Sequence, residues 1–272
     1  MRLTREMTKI LALVRASALT ALSYRLRIVF SFFGLLVSLV PLFLVAEALQ
    51  PTVSPSIQDE GEQYFGFLIL GLIATLYVGF AIRSVTDGIA SGISSGTLEA
   101  LFATPTSLPV LLAGLVGYGF VQNTIRSALM LAAIPIAGQS IAWSGLPLGV
   151  LILGLIILCY LAVGLMGAAL HLVFRTSGPL IAATVTVSTL LGGVYYSVSV
   201  IPEIVRPLAL VVPLTYGLRG LRRSVLQGLP IEAIYPDLMI LLTFTVVLLT
   251  VGVTTFRVGL KYAKRAGTLA QY

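Results

Sequence analysis

Long apolar segments dominate this sequence, and they constrain its fold more than any other feature. A helix needs about 20 apolar residues to cross the hydrocarbon core of a bilayer, which is roughly 30 Å thick. Five segments meet this requirement, namely Ile28–Ala46, Tyr64–Ile82, Pro147–Leu170, Gly178–Ser197 and Leu238–Phe256. A sixth, Leu108–Ala137, is also apolar apart from Gln122, Asn123 and Arg126. The sequence therefore predicts an all-α membrane protein with six transmembrane helices in a single domain, residues 1–272.

Charged residues are scarce, with 17 basic and 10 acidic side chains among 272 residues. A soluble domain carries roughly 25% charged residues, which corresponds to about 68 at this length. The mean hydropathy of +1.04 likewise excludes a soluble globule with a hydrated surface. Cys159 is the only cysteine, so a disulfide scaffold within the chain is excluded as well.

The distribution of charge indicates how the chain is oriented. Basic residues cluster before the first apolar segment and in the tail 257–272, and such clusters usually face the cytoplasm. An even number of spans places both termini on that side. The first outer loop then contains Glu47, Asp59, Glu60 and Glu62 but no basic residue. We expect a multi-pass protein of the inner or plasma membrane, in contact with lipid, whose net charge of +7 reflects topology and not nucleic-acid binding.

The sequence lacks the motifs of common enzymes. The phosphate-binding pattern G-x-x-x-x-G-K-[ST] does not occur, and His171 is the only histidine. Zinc sites with paired histidines and Ser/His/Asp chemistry are therefore disfavoured. We predict a protein that is not an enzyme, with no catalytic residue and no metal site.

The N-terminal segment, residues 1–25, has the periodicity of an amphipathic helix. Apolar residues from Leu3 to Leu22 follow a spacing of three and four, and Arg2, Arg5 and Lys9 fall on the opposite face. This pattern predicts a helix that lies in the cytoplasmic headgroup layer. A signal peptide is the alternative, but Arg15 interrupts its apolar core and no clear cleavage site follows.

The segment Gly92–Pro109, GISSGTLEALFATPTSLP, lies between the second and third apolar segments. Thr97 has the side chain of an N-cap, and Pro105 ends the short helix that follows it. We expect a cytoplasmic helix at about residues 94–105. It is either a docking site for a soluble partner or simply a capped surface loop.

Two blocks resemble a known family. GTLEALFATP, Gly96 to Pro105, is similar to the G-T-L-E-x-L-x-x-T-P signature of ABC exporter permeases of the six-span, two-component type. The block GGVYYSVSVIPEIVRPLALVVPLTYGLRGLR, Gly192 to Arg222, resembles that family's glycines, paired aromatics, P-E-x-x-R-P-L helix and P-L-T-Y. The order of the blocks also matches, so the resemblance covers essentially the whole chain.

The resemblance implies a permease that moves a hydrophobic, amphiphilic or polymeric substrate out of the cytoplasm or inner leaflet. The short outer loops are most similar to those of the drug-, lipid- and polysaccharide-exporting members. A second permease, either another copy of the chain or a relative of it, and two separate ABC ATPase subunits would complete the complex, and the ATPases would bind ATP and Mg²⁺. The permease itself would bind no cofactor. An ATP-independent carrier or channel is the alternative, and it has no use for the ATPase-coupling motif.

The resemblance also implies which residues contact the ATPase. Glu99 is the main polar contact on the cytoplasmic helix, although a solvated carboxylate favoured by the helix dipole is its alternative role. Arg175 lies in the second inner loop and makes a smaller contact. The implied set is Gly96, Thr97, Leu98, Glu99, Leu101, Thr104, Pro105 and Arg175.

In the resembled family the chain forms re-entrant outer helices between the fifth and sixth spans, here at about residues 199–228. The candidate outer-gate residues in this segment are Pro213, Thr215, Tyr216, Arg219, Arg222 and Arg223. The three arginines share one side of a helix near the outer mouth. They either contact phosphate or carboxylate groups of a leaving substrate or pair with Glu232, Asp237 or lipid phosphates.

Two further groups are candidates for the substrate pathway. Gln122, Asn123 and Arg126 form a polar stripe on the third span, and an arginine at this depth should face protein or water. The stripe either lines the pathway or forms a hydrogen-bonded cluster between helices. Tyr195 and Tyr196, near the outer end of the fifth span, belong either to an aromatic belt or to a gate.

Overall fold

The computed structural model describes residues 25–94, 108–174, 176 and 178–265, and over these residues the chain is helical without β-strands. The described α-helices are α1 (Arg25–Ile57), α2 (Tyr64–Ser94), α3 (Leu108–Ile136), α4 (Leu146–Phe174), α5 (Gly178–Leu191), α6 (Arg206–Leu210), α7 (Pro213–Val225) and α8 (Ile231–Arg265). Short 3₁₀ helices lie at Trp143–Gly145 and Val198–Val200. The predicted all-α class is confirmed for this part of the chain.

Four of the described segments are long and apolar enough to cross a membrane: Val29–Ile57, Tyr64–Gly88, Trp143–Phe174 and Ile231–Ala263. They coincide with the first, second, fourth and sixth predicted spans. The helices are longer than predicted, because α1 continues through Pro51 and Pro55 and α8 begins at Ile231. The third predicted span coincides with α3, which has 29 residues.

The fifth predicted span, Gly178–Ser197, differs most from the structure. Its helix α5 ends at Leu191 after 14 residues. Such a helix is about 21 Å long at 1.5 Å per residue, shorter than the roughly 30 Å hydrocarbon core. Gly193 follows with a φ of +79°, a conformation that glycine adopts without a steric penalty. Tyr195 and Tyr196 therefore lie in the turns after α5 and not on a helical span.

Helix α4 lies at the centre of the bundle, between α2 and α8. Glycines allow these backbones to approach closely. A Cβ atom at Gly164 would lie 2.8 Å from the carbonyl oxygens of Ala81 and Ile82, and one at Gly252 would lie 2.5 Å from the carbonyl oxygen of Ala162. Close contacts through small residues are typical of helix packing in membranes, where backbone approach and van der Waals contact replace hydrophobic burial.

The long helices alternate in direction, so their ends collect at two ends of the bundle. We name the end that contains the α1–α2 turn and α7 the acidic end. Its acidic residues are Glu47, Asp59, Glu60, Glu62, Glu203, Glu232 and Asp237. The opposite end, which we name the basic end, carries Arg257, Lys261 and Arg265 of α8. Four arginines, Arg206, Arg219, Arg222 and Arg223, also lie at the acidic end, so the two ends differ mainly in their acidic residues.

Candidate functional site

A buried ion pair at the acidic end joins the α1–α2 turn to α7. Arg222 Nη1 lies 2.7 Å from Glu60 Oε2. Arg222 is only 1% exposed and Glu60 only 7% exposed. Because water is excluded from both groups, the pair holds α7 directly against the connection between the first two helices.

The remaining nitrogen atoms of Arg222 also have partners. Nη2 donates to the carbonyl oxygens of Gly193 and Val194, each at 3.0 Å, and Nε donates to the carbonyl oxygen of Phe67 at 3.3 Å. The guanidinium carbon lies 3.3 Å from the centroid of the Phe67 ring, which adds a cation–π interaction. Arg222 therefore connects α7 to the α1–α2 turn, to α2 and to the chain after α5.

This environment keeps a charge in the interior of the bundle. Burial lowers the pKa of the Arg222 guanidinium, whereas the charge of Glu60 acts in the opposite direction. The Glu60 carboxylate and the three carbonyl oxygens that accept from the guanidinium favour its charged form. We expected Arg222 at the outer mouth beside Arg219 and Arg223. The structure shows it at the acidic end with its side chain buried among protein partners.

Arg219 and Arg223 share a single carboxylate on α8. Arg219 Nη1 lies 3.2 Å from Asp237 Oδ1, and Arg223 Nη1 lies 3.5 Å from Asp237 Oδ2. Arg223 Nε also donates to the backbone carbonyl of Asp59 at 3.0 Å. The two arginine side chains are 30% and 26% exposed, whereas the Asp237 side chain is 7% exposed. Of the two expected roles, the structure contains the pairing with Asp237.

Three other predicted gate residues lie on α7. Pro213 is the first residue of α7, a position that proline favours because its missing N–H is not needed there. Thr215 Oγ1 donates to the carbonyl oxygen of Ala209 at 2.7 Å, which holds α6 against α7. The ring of Tyr216 is stacked on Phe244 of α8, with 6.1 Å between the centroids.

The two tyrosines after α5 have different surroundings. Tyr195 is exposed, and its carbonyl oxygen accepts a hydrogen bond of 2.8 Å from the hydroxyl group of Tyr64. The hydroxyl group of Tyr196 donates to the carbonyl oxygen of Leu190 at 2.5 Å. Both residues lie at the acidic end.

The polar stripe on α3 lies at mid-depth. Arg126 is ten residues before Ile136, the last residue of α3, which corresponds to about 15 Å along the helix axis. Its Nη2 atom donates to Ser31 Oγ of α1, and its guanidinium lies 6.0 Å from the Phe32 ring centroid. Arg126 Nε is buried without a hydrogen-bond partner among the described residues. Nearby, Asn123 is buried and Gln122 is half-buried.

Several predicted residues lie outside the part of the chain that the structure describes. They are the interfacial segment 1–24 and the coupling residues Gly96, Thr97, Leu98, Glu99, Leu101, Thr104, Pro105 and Arg175. The structure therefore places none of the predicted ATPase contacts. Among the described residues, no three potential metal ligands of the His, Cys, Asp and Glu types come together.

Sequence reasoning missed the partner of Arg222 and the partner of Arg126. Glu60 is one of four acids predicted for the first outer loop, and no local pattern distinguishes it from Glu62. Ser31 is one of many hydroxyl groups in apolar segments, so its contact with Arg126 also has no local signal. The only signal is that a buried arginine needs a hydrogen-bond partner. This requirement does not identify the residue that supplies the partner.

The sequence matches the profile of the family described as ABC-2 type transporter over residues 8–226. This range begins in the N-terminal segment and ends one residue after α7. It therefore includes both motif blocks, the polar stripe on α3 and the Glu60–Arg222 pair. A search of curated proteins returns no significant match.

Proposed function

The chain belongs to the ABC-2 type transporter family, and from this premise we propose that it is the membrane subunit of an ATP-driven exporter. Members of the family are transport permeases and are not themselves enzymes, and they generally work with an ABC ATPase partner. The observation that carries the proposal is the match over residues 8–226, which is most of the 272-residue chain.

In this proposal the chain crosses the membrane six times, with α3 and α5 as the two spans beyond the four long apolar segments. Helix α3 has 29 residues, about 44 Å of helix, and is long enough to cross. Helix α5 crosses together with the non-helical chain that follows it, in which Gly192, Gly193, Val194 and Ser197 are buried by protein. The basic end faces the cytoplasm, so both termini lie there.

Two ABC ATPase subunits bind at the basic end and use ATP and Mg²⁺. The helix around Thr97–Ala103 transmits their movement, Glu99 provides the main polar contact, and Arg175 provides a smaller one. A second copy of the chain completes the permease, and the pathway lies between the copies. The substrate is hydrophobic, amphiphilic or polymeric, as in the drug-, lipid- and polysaccharide-exporting branch.

The acidic end acts as the outer gate in this proposal. Three ion pairs join α7 to the α1–α2 turn and to α8, and they support a closed outer end. Arg126, Gln122 and Asn123 together provide a polar patch that lines the pathway at mid-depth. Opening requires α7 to move together with its tethered neighbours, because separating Arg222 from Glu60 would leave two buried charges unpaired.

The test is reconstitution with an ATPase encoded by a neighbouring reading frame. The two proteins are co-expressed, purified through a tag on this chain, and assayed in inverted vesicles for ATP-dependent uptake of a hydrophobic dye. We expect co-purification, and we expect Glu99→Ala and Glu99→Lys to lower transport-coupled ATP hydrolysis. Glu47→Ala, which removes an exposed acid at the opposite end, is the matched control and should leave both unchanged.

Two results would contradict the proposal. Transport that proceeds without ATP and without a nucleotide-binding partner would identify a carrier or channel. Unchanged coupling in an assembled complex that carries Glu99→Lys would remove Glu99 from the contact with the ATPase while leaving the family assignment intact.

A further inference from the structure

A cavity of about 580 Å³ lies among α2, α3, α4 and α7. This volume falls within the range of about 300–1,000 Å³ that is usual for small-molecule sites. The described residues that line it are apolar except for three hydroxyl-bearing side chains, and none of them is charged. Phe120, Val150 and Leu158 line the cavity and are also exposed. The cavity therefore opens sideways, at the surface where lipid surrounds a membrane protein.

The cavity runs from the acidic end of the bundle past its middle. Leu146 and Val225, at the acidic ends of α4 and α7, form one end of the wall. Phe120 lies at the other end, 16 residues before Ile136 and about 24 Å along α3 from the acidic end. Ser127 is nine residues before Ile136, at about 14 Å, and therefore lies near the middle of the cavity. The three hydroxyl groups thus lie near mid-depth, and the rest of the described wall is apolar.

The three hydroxyl groups that line this cavity differ in whether they already donate a hydrogen bond. Thr124 Oγ1 donates to the carbonyl oxygen of Phe120 at 2.9 Å. Because the Thr124 proton is used there, the 3.0 Å contact between Tyr77 and Thr124 requires the Tyr77 hydroxyl to donate. Ser127 is 8% exposed, and its buried Oγ atom has no hydrogen-bond partner among the described residues. Ser127 is therefore the lining hydroxyl whose proton remains available.

We infer that this cavity binds a neutral, elongated apolar molecule that carries a hydrogen-bond acceptor, such as a carbonyl oxygen, in the middle of its length. The apolar walls hold the hydrocarbon part, and the Ser127 hydroxyl donates to the acceptor. A charged ligand is excluded because no described lining residue offers an opposite charge, and an ion in such surroundings carries a large desolvation cost. The inference does not depend on the transport cycle or on the ATPase.

The unpartnered hydroxyl group distinguishes this occupant from two others. A plain lipid chain fills an apolar groove but leaves the Ser127 proton unsatisfied, and a buried unsatisfied donor is unfavourable. A second copy of the chain can cover the exposed rim, but the recessed hydroxyl group favours a narrow molecule that enters the cavity.

The experiment uses two photoactivatable probes in the full-length protein, purified and reconstituted into phosphatidylcholine vesicles. One probe is a long-chain ketone with the carbonyl group at mid-chain and a diazirine at one end, and the other is the alkane of the same length with the same diazirine. Labelled residues are identified by mass spectrometry over a range of probe concentrations. We expect the ketone to label the cavity saturably and about fivefold more efficiently than the alkane, in keeping with one hydrogen bond.

Glycines in the helices provide matched variants. A Cβ atom at Gly154, which lines the cavity, meets nothing within 4 Å, so Gly154→Leu adds an apolar side chain to the cavity wall from a position where the first added atom has room. Gly79 on α2 also faces open space but does not line the cavity, so Gly79→Leu is the control. We expect Gly154→Leu to abolish saturable labelling and Gly79→Leu to preserve it. Ser127→Ala should remove the preference for the ketone and keep labelling by both probes.

Other outcomes overturn the inference. Equal, non-saturable labelling by both probes shows that the cavity is filled by bulk lipid. Absence of label in the cavity together with cross-links between cysteines placed at Val150 in two chains shows that a second copy covers it. A ketone preference that persists in Ser127→Ala excludes the proposed hydrogen bond.

Discussion

Glu60 and Arg222 are 162 positions apart in the chain, yet their side chains meet at 2.7 Å in a site from which water is excluded. Arg222 also donates to three backbone carbonyl groups that belong to two other segments. The acidic end is thus organised around one cation, and Glu60 is the ion-pair partner that neutralises it. This arrangement makes the region sensitive to the loss of a single carboxylate.

The first prediction concerns that carboxylate. Glu60→Ala leaves the Arg222 charge buried without its partner, and breaking a buried pair costs about 3–5 kcal/mol. We expect a large fall in the thermal unfolding temperature in detergent and loss of tight packing at α7. Glu62→Ala is the control, because Glu62 is exposed two residues away.

A double replacement separates charge compensation from packing. Replacement of both partners by methionine removes both buried charges, and such exchanges are often neutral or stabilising. We expect Glu60→Met/Arg222→Met to be more stable than Glu60→Ala. A double variant that is as unstable as the single one would show that the backbone contacts of Arg222, rather than the ion pair, dominate.

The second prediction concerns Asp237, which pairs with two arginines at once. Asp237→Asn should cost less than Glu60→Ala, because Arg219 and Arg223 are partly exposed and water screens their charges. We expect a loss of about 1 kcal/mol, at the upper end of values for exposed pairs. The loss should shrink as salt is raised in an unfolding titration.

Asp59→Asn is the control for Asp237→Asn. The contact between Arg223 and Asp59 involves only the backbone carbonyl group of Asp59, and the substitution retains that group. An equal effect of the two substitutions would mean that general charge at the acidic end matters and that the specific pairs do not.

The fold was largely predictable from the sequence, because a bilayer imposes helix length and hydropathy directly. Positions of the long helices therefore followed from composition and spacing. The end of α5 did not, because no charged residue follows Leu191 up to Ser197 and the conformation of Gly193 decides the boundary. Hydropathy measures transfer into lipid and carries no information about a single backbone angle.

The candidate site was predictable in its residues but not in its pairings. Arg219, Arg222 and Arg223 were recognisable as costly charges that need partners. Which of them turns inward depends on the rotation of α7 against α2 and α4, a property of packing that no local pattern encodes. Asp237 was foreseen as one of several partners, whereas Glu60 could be recognised only once the α1–α2 turn was placed beside α7.

The third prediction concerns Arg126 at mid-depth. An arginine at a helix centre costs about 2.5–3.5 kcal/mol in membrane insertion, so Arg126→Leu should insert at least as well as the native chain. If the polar stripe serves the pathway, export in the reconstituted complex should fall although stability does not. Ser31→Ala, which removes the α1 partner of Arg126 and keeps its charge, should have a smaller effect on export. Loss of stability without a specific loss of export would instead identify a structural cluster.

The fourth prediction concerns the close approach of α4 to α2. A Cβ atom at Gly164 would lie 2.8 Å from two carbonyl oxygens, and backbone atoms cannot move aside as a flexible side chain does. Gly164→Ala should therefore destabilise the bundle by about 1–3 kcal/mol, the usual range for overpacking. The measurement is the thermal unfolding temperature of the purified protein in one detergent.

Gly79→Ala is the matched control, because its added methyl group meets nothing within 4 Å. It should be neutral or slightly stabilising, since alanine favours helix over glycine by up to about 1 kcal/mol. The two substitutions add the same atoms to glycines in helices, so the difference between them isolates the contact of α4 with α2. Equal unfolding temperatures for Gly164→Ala and Gly79→Ala would mean that α2 and α4 are farther apart than the contact at Gly164 requires.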